Sequence, residues 1–585
     1  MRKLLLITMA VVATAGCGAQ PARPAHDSAF VRVDQVGYAL DEPKHGFLLS
    51  TADPGDKAFT VVDGSGQVVL TGRVGRPTGR WNAEFRSVRL LDFSALKAAG
   101  SYRVLVDGTA PSPVFKVAAA GDLFGPLVAA NVRFFQAQRD GADIVPSVMN
   151  RKPAHPSETH ATVYELPRYD EAGTELQGTL RPVGDPVDVS GGWFDAGDFL
   201  KFTHTAAYST TALLLAERDT AASPELAAEA RHGMRWLDKM WDDRSGTLYA
   251  QVGIGVGNSG IRSDHDVWRL PEDDTISRPV FRAADPGQPI SPNLAGKVVA
   301  AFALAAQTAS GDEARRWLDK AAKLYAQADV QHTGELTTAY PHVFYPESSW
   351  QDDMEFAAIE LALAGRKLGD TRAEDWIRDA DRWAAAYLAS DSRGTLGVGD
   401  VSALAHADLI PLASDGMKDD LVRDLARQLG GAREDPFGAG ASYTEFDAVP
   451  HTFGLAATAR LFHRVTGRDD YSAFGVAQRN WALGANAWGT SFVIGAGTVF
   501  PRCPEHQVAN LTGGQLTGAA VNGPNKADKF AELNKFPTMR ACSAPDFARF
   551  DGQGARYVDD VGAWQSVEPA DDFTATALLY FALAG

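Results

Sequence analysis

The sequence predicts two folded parts, a small antiparallel β-sandwich followed by a larger closed barrel of helical hairpins. Three observations carry this. From Phe30 to about Val117, short runs rich in valine, leucine and phenylalanine are separated by turn signals, with no long helical pattern. From Asp122 onward the texture changes to alanine- and leucine-rich stretches with three-to-four residue apolar spacing. No fixed short repeat is evident, and helices joined by alternately short and long loops suit a closed barrel better than a solenoid.

The chain has 585 residues, more than one ordinary domain holds, so a sizeable core is expected. At the start, Met1-Arg-Lys3 precedes the apolar run Leu4–Ala13 and then Thr14-Ala-Gly-Cys17, the charged, hydrophobic and small-residue order of an export signal. That run is too short to span a bilayer. Its ending resembles a bacterial lipoprotein box, which implies cleavage before Cys17, lipidation of that cysteine and an exported product, anchored to the envelope or secreted. Residues 1–17 are thus read as signal, and 18–28, with two prolines and no apolar periodicity, as a tether.

The sandwich is assigned to residues 29–118. Its strand candidates include Val31–Val33, Gly46–Ser50, Phe59–Val62, Gln67–Leu70 and Tyr102–Val106, punctuated by Asp53-Pro-Gly55, Asp63-Gly-Ser-Gly66 and Ala99-Gly-Ser101. Residues 119–585 form the helical part. Its helices are expected at Leu123–Ala137, Ala206–Arg218, Pro224–Met240, Pro292–Thr308, Asp312–Ala328, Asp352–Leu368, Ala373–Ala389, Lys418–Leu429, Val449–Val465, Asp470–Leu483 and Ala570–Ala584. Long loops such as Gln251–Asp274 would gather at one end as a cleft.

Net charge is -17, with no basic run to offset it, which argues against a nucleic-acid partner and favours neutral or cationic substrates. Besides Cys17 only Cys503 and Cys542 remain, and in an exported chain they are a disulfide candidate.

Chemistry concentrates in three stretches. Asp188-Val-Ser-Gly-Gly-Trp-Phe-Asp-Ala-Gly-Asp198 places Asp195 and Asp198 in a glycine-broken loop beside Trp193 and Phe194. Two such acids could hold and deprotonate a water while the rings meet a sugar face. The stretch Tyr557–Asp572 holds a second acidic cluster in which Glu568 precedes Pro569, a residue suited to the first helical position, so Glu568 is expected at or beside the N-cap of the last helix. The third, Gly489–Gln507, offers Arg502, Glu505 and His506 to hydroxyls. No cysteine or histidine spacing matches a zinc site, and no metal ligand set is assigned; structural calcium is compatible with the acidic loops.

Together these stretches resemble glycoside hydrolase family 9, in its subgroup with an N-terminal immunoglobulin-like domain. Val31-Arg-Val-Asp-Gln-Val-Gly-Tyr38 and Leu91–Tyr102 resemble the opening and closing strands of that domain, and Asp188–Asp198 the catalytic-base motif. Trp236–Met240, Gln251–Gly253, Trp350–Asp353 and Gly489–Ser491 also fit.

The resemblance implies an all-β immunoglobulin-like sandwich followed by an all-α (α/α)6 barrel, and an inverting glycosidase of the cellulase type acting on soluble β-1,4-glucan without a catalytic cofactor. Asp198 falls on the base, Asp195 beside it, and Glu568 on the acid, with carboxyls about 6.5–9.5 Å apart to admit water. Trp193, Phe194, Arg502, Glu505, His506, Tyr557 and Trp564 are the candidate substrate-binding residues.

Where the family usually shows Pro-His-His-Arg, this chain has Pro504-Glu-His-Gln507, trading donors for acceptors. A carboxylate there could pair with an amine, so an exo-acting β-glucosaminidase on chitosan oligosaccharides is the alternative. A non-catalytic glycan-binding surface lipoprotein and a calcium-dependent adhesive module are the competing non-enzymatic readings. A monomer is expected, with membrane contact only through the N-terminal lipid.

Overall fold

The computed structural model describes residues 28–257, 263–430, 435–444 and 446–585. Cys17 and most of the tether lie outside the described residues. Nine strands come first: β1 (Ala29–Arg32), β2 (Gly37–Ala39), β3 (His45–Ser50), β4 (Ala58–Asp63), β5 (Val68–Arg73), β6 (Pro77–Gly79), β7 (Ser87–Asp92), β8 (Gly100–Val106) and β9 (Phe115–Ala118). They form two facing sheets, ordered β1-β3-β7-β6 and β2-β9-β8-β4-β5. Alternation explains the sandwich: on β8, Tyr102, Val104 and Val106 point inward while Ser101 and Arg103 point to solvent. The sandwich is not wholly antiparallel, because β2 pairs parallel with β9.

The helices are α1 (Ala120–Gln138), α2 (Thr203–Asp219), α3 (Pro224–Met240), α4 (Pro292–Thr308), α5 (Gly311–Ala326), α6 (Gln351–Leu368), α7 (Ala373–Leu388), α8 (Ser402–Leu409), α9 (Asp415–Gly430), α10 (Ala448–Thr466), α11 (Ser472–Ala482), α12 (Gln507–Thr512), α13 (Trp564–Val567) and α14 (Asp571–Ala584). Six of them, α2, α4, α6, α8, α10 and α14, pack neighbour to neighbour into a closed ring. The outer layer is α1, α3, α5, α7, α9 and α11, so six hairpins make an (α/α)6 barrel.

Composition separates the layers. On α4 every residue from Pro292 to Ala306 is buried, as a helix enclosed on all sides must be. On α5 only Ala314, Trp317, Leu318, Ala321 and Leu324 are buried, a single stripe. The short α8 went unread in the sequence because eight residues after a glycine-rich loop carry too little periodicity.

The inner helices all begin at one mouth. The Asp571 amide, opening α14, donates to the Asp195 carbonyl just before α2 at 2.7 Å. Glu347, just before α6, bonds His204 on α2 and Lys297 on α4. The Val401 amide before α8 donates to Asp352 on α6 at 2.8 Å. Six helix N-termini, each a partial positive charge, therefore converge on the acid-rich loops.

The sandwich buttresses that mouth. The Gln35 amide group donates to the carbonyls of Gly489 (3.0 Å) and Val499 (3.3 Å). Its oxygen accepts from the amides of Thr498 (3.0 Å) and Val499 (2.9 Å). The Trp81 indole donates to the Phe550 carbonyl at 2.7 Å. The loops so held lead directly to Glu505 and Glu568. Among the described residues no helix is long and apolar enough to cross a membrane.

Candidate active site

Asp195, Asp198, Glu505 and Glu568 come together at this mouth, stitched by backbone bonds between segments distant in sequence. The Glu505 amide donates to Val567 carbonyl at 3.2 Å, and the Gln507 amide to Gly197 carbonyl at 2.8 Å. Gly197 is required by this approach, since a Cβ there would lie 2.2 Å from the Glu505 carbonyl oxygen. The Gly197 amide in turn is directed at the Glu568 carboxyl.

Each acid has a distinct setting. Both oxygens of Asp195 are engaged, one by the Thr205 hydroxyl and the other by the Tyr345 hydroxyl at 2.8 Å. Burial pushes it up to about 7, against Thr205 and with help from the Asp198 charge. Asp198, 7% exposed, accepts from the Leu200 amide at 2.8 Å. Burial raises it to about 6, and the nearby His265 cation restrains the rise. Glu505, 3% exposed, accepts from the Asn534 amide group at 3.3 Å and is pushed up to about 7 by burial.

Glu568 is held well above the usual carboxylate range by burial first, then by Glu505, Asp198 and Asp195. It is not at the N-cap of the last helix. Ala570 caps α14, and Glu568 ends the short α13 instead. That position removes it from the first turn of α14, where the helix dipole would most favour the anion.

His265 was not singled out in the sequence. Burial opposes its charge, but the hydrogen bond with Asp266 (2.7 Å) and the charges of Asp198 and Glu505 push it up to about 9. Its ring lies between Phe344 (5.5 Å) and Phe536 (5.6 Å). The signal available was the charged, aromatic loop Gln251–Asp274, which names the region and not the residue.

Three aromatic candidates prove to be core. Trp193 is 1% exposed, donates to Glu229 at 2.8 Å and packs on Phe135. Phe194 is fully buried against Phe199 and His155. Tyr557 is buried among Phe492, Trp488 and Phe547. The glycines before Trp193 turn the loop inward, and its rings fill the space beneath. Trp564 differs: it is part-exposed, with its ring 5.7 Å from that of exposed Phe446.

His506 is structural too. It caps α12, accepting from the Ala509 amide at 3.2 Å, and its other nitrogen meets Gln138 at 2.7 Å. Burial pushes it down to about 3, so it is neutral. The exposed Arg502 stacks over Phe500 at 3.8 Å rather than facing the acids.

Cys503 and Cys542 are joined in a disulfide with Cα atoms 5.5 Å apart. The loop it closes brings Asn534 to Glu505 and Phe536 to His265. Reduction, or Cys542→Ser, is expected to lower stability by about 3–4 kcal/mol and to lower kcat/KM as that loop slackens. Melting temperature and rate, each with and without reductant, check this; an unchanged rate would show that other bonds hold the loop.

Among the described residues one buried cluster has the ligand spacing of a metal site, Asp140, His155 and Glu158. It does not fit calcium, because cations already fill it. Lys201 Nζ meets Asp140 at 2.8 Å and also pairs with Glu158, and Arg278 reaches both acids. The network instead braces the Asp198 loop, since Arg278 also donates to the Phe199 carbonyl and pairs with Asp264 beside His265.

An (α/α)6 barrel with three buried acids and a part-exposed glutamate at the mouth of its inner helices, the glutamate held well above the usual carboxylate range, fits enzymes that work by general acid–base chemistry. The profile of glycosyl hydrolase family 9 matches residues 124–581, and that of the cellulase N-terminal ig-like domain residues 26–110. The chain belongs to glycosyl hydrolase family 9 and is a glycosidase of the cellulase type.

Similar proteins include Endoglucanase 15 of Arabidopsis thaliana, 25% identical over 71% of this chain and 89% of that protein. The Xyloglucan-specific endo-beta-1,4-glucanase BoGH9A of Bacteroides ovatus is 23% identical over 93% of this chain and 92% of its own. A crystal structure of a metagenome-derived glycoside hydrolase family 9 endoglucanase shares the fold, with TM-score 0.72, 23% identity, and coverage of 95% of this chain and 99% of that one.

Proposed function

We propose that this chain is an inverting glycosidase that cleaves β-1,4-glucan as soluble chains or oligosaccharides. Asp198 is the general base, Asp195 helps it hold the water, and Glu568 is the general acid. The observation that carries this is the split among the acids: Glu568 is held protonated by burial and by three carboxyl neighbours, whereas Asp198, near about 6, ionises beside His265. Water attacks the anomeric carbon as Asp198 takes its proton. The bond to the leaving oxygen breaks as Glu568 donates its own, so configuration inverts in one displacement. The names of the relatives, an endoglucanase and a xyloglucan-specific endo-beta-1,4-glucanase, support the substrate class.

The test is the product profile from soluble β-glucan, cello-oligosaccharides and chitosan oligosaccharides, with the first-formed anomer read by NMR. The α-anomer is expected; a β-anomer would overturn inversion. We also read the mature chain as exported and monomeric, either anchored to the envelope through a lipid on Cys17 or secreted.

Glu505 favours a second reading, an exo-acting β-glucosaminidase, because a carboxyl close to Asp198 and Glu568 offers a partner to a substrate amine. On that reading Glu505→Gln lowers the kcat/KM preference for glucosamine over glucose oligomers by about ten-fold, one charged hydrogen bond's worth. An unchanged preference would discard it.

A further inference from the structure

A cavity of about 780 Å³ lies at this mouth, lined by His204 on α2, Asp447 beside α10 and Asp572 on α14. Tyr345, Asp400, Asp447, His451 and Asp572 are among its lining residues. Most of its charged groups are accounted for: Asp400, for example, accepts from Tyr387 at 2.7 Å and from Ser402. Asp447 is the exception.

Asp447 occupies the N-cap position of α10, where an aspartate ordinarily accepts a bond from the helix amides. It makes no such bond, because its backbone is left-handed, at φ 64° and ψ 42°. That region is costly for a residue bearing a Cβ, and an ordinary cap is extended. Its Oδ1 is buried and has no hydrogen-bond partner among the described residues. The charged groups acting on it are Asp572 and Asp195, both acids. A left-handed backbone thus brings a carboxyl with an unpartnered oxygen to a cavity that Tyr345, the hydrogen-bond partner of Asp195, also lines. Strain kept at a pocket is characteristic of a binding determinant.

We propose that Asp447 is a specificity-determining residue that accepts a hydrogen bond from a donor substituent, hydroxyl or ammonium, of the sugar lodged beside Asp195. The proposal rests on the glycosidase reading for its ligand class and assigns the residue that reads that ligand. Tyr345 and Asp572, which face both Asp195 and the cavity, would border the same sugar.

The test uses Asp447→Asn and Asp447→Gly, since asparagine and glycine both accept the left-handed backbone and should fold. Calorimetric binding of cellopentaose and of the glucosamine pentamer is measured for the full exported chain in the Glu568→Gln background, in which turnover is slowed. Asp447→Gly is expected to weaken binding of one pentamer by about ten-fold or more, with the melting temperature unchanged or raised. If the donor is hydroxyl, Asp447→Asn retains part of the affinity through its amide oxygen. If it is ammonium, both variants lose the affinity alike.

Equal affinity in all variants overturns the proposal. So does a fall in melting temperature with affinity intact, which marks a structural residue, and so does absence of binding by either pentamer with Asp447 in place. Turnover of both pentamers by the wild type is scored in parallel. Its absence counts against the glycosidase reading, while binding still decides the role of Asp447.

Discussion

Asp198→Asn is expected to lower kcat by about 10²–10⁴-fold, the range that a positioned general base contributes. Binding of cello-oligosaccharides should change little. Asparagine keeps the shape and can still accept from the Leu200 amide, which now bonds Asp198 at 2.8 Å. It cannot take a proton from water. The same change at Asp195 should be milder in chemistry but harder on structure, because both Asp195 oxygens accept from hydroxyls, Thr205 and Tyr345. Rates on soluble β-glucan with binding measured in parallel decide the matter. A glycan-binding protein without turnover would show no rate to lose, and a rate surviving Asp198→Asn would move the base elsewhere.

Legibility of this molecule followed distance along the chain. Pro224–Met240 and Pro292–Thr308 were readable to the residue, because proline at the first turn and unbroken apolar spacing are local facts. The three chemical stretches were readable because glycine and acids cluster within each. What joins them was not. Tyr345 reaches Asp195 across 150 positions, and Asn534 reaches Glu505 across 29.

The aromatics show the same limit from the other side. Trp193 beside two acids reads as a sugar platform, yet its indole lies under Phe135 and bonds Glu229, a partner 36 positions away. Part-exposed Phe344 lines the cavity and Phe536 meets His265, while part-exposed Trp564 meets Phe446; of these only Trp564 sits next to an acidic motif. The proline after Glu568 put it at or beside the N-cap of the last helix, and it lies two residues before that cap. The chain spends Pro569 on an isolated bridge with Val521 and starts the helix two residues later, so local preference lost to the pairing of two distant loops.

Glu568→Gln tests the other half of the mechanism, and its pH dependence makes it specific. Hydrolysis of oligosaccharides should fall by about 10²–10⁴-fold. Aryl glycosides with acidic leaving groups should lose far less, because their departure needs no proton. In the wild type, kcat/KM should fall as pH drops through about 6, where Asp198 gains a proton and ceases to be a base. It should fall again as pH rises past the elevated value of Glu568, where the acid loses its proton. Because these carboxyls interact, the two limbs belong to the cluster rather than to single residues. Glu568→Gln should abolish the basic limb and leave the acidic one. Glu505→Gln removes the foremost of the charges that raise Glu568, so it should move the basic limb to lower pH without erasing it. A basic limb that persists in Glu568→Gln would mean that another group delivers the proton, with Glu505, the acid stitched to Val567, the first to examine.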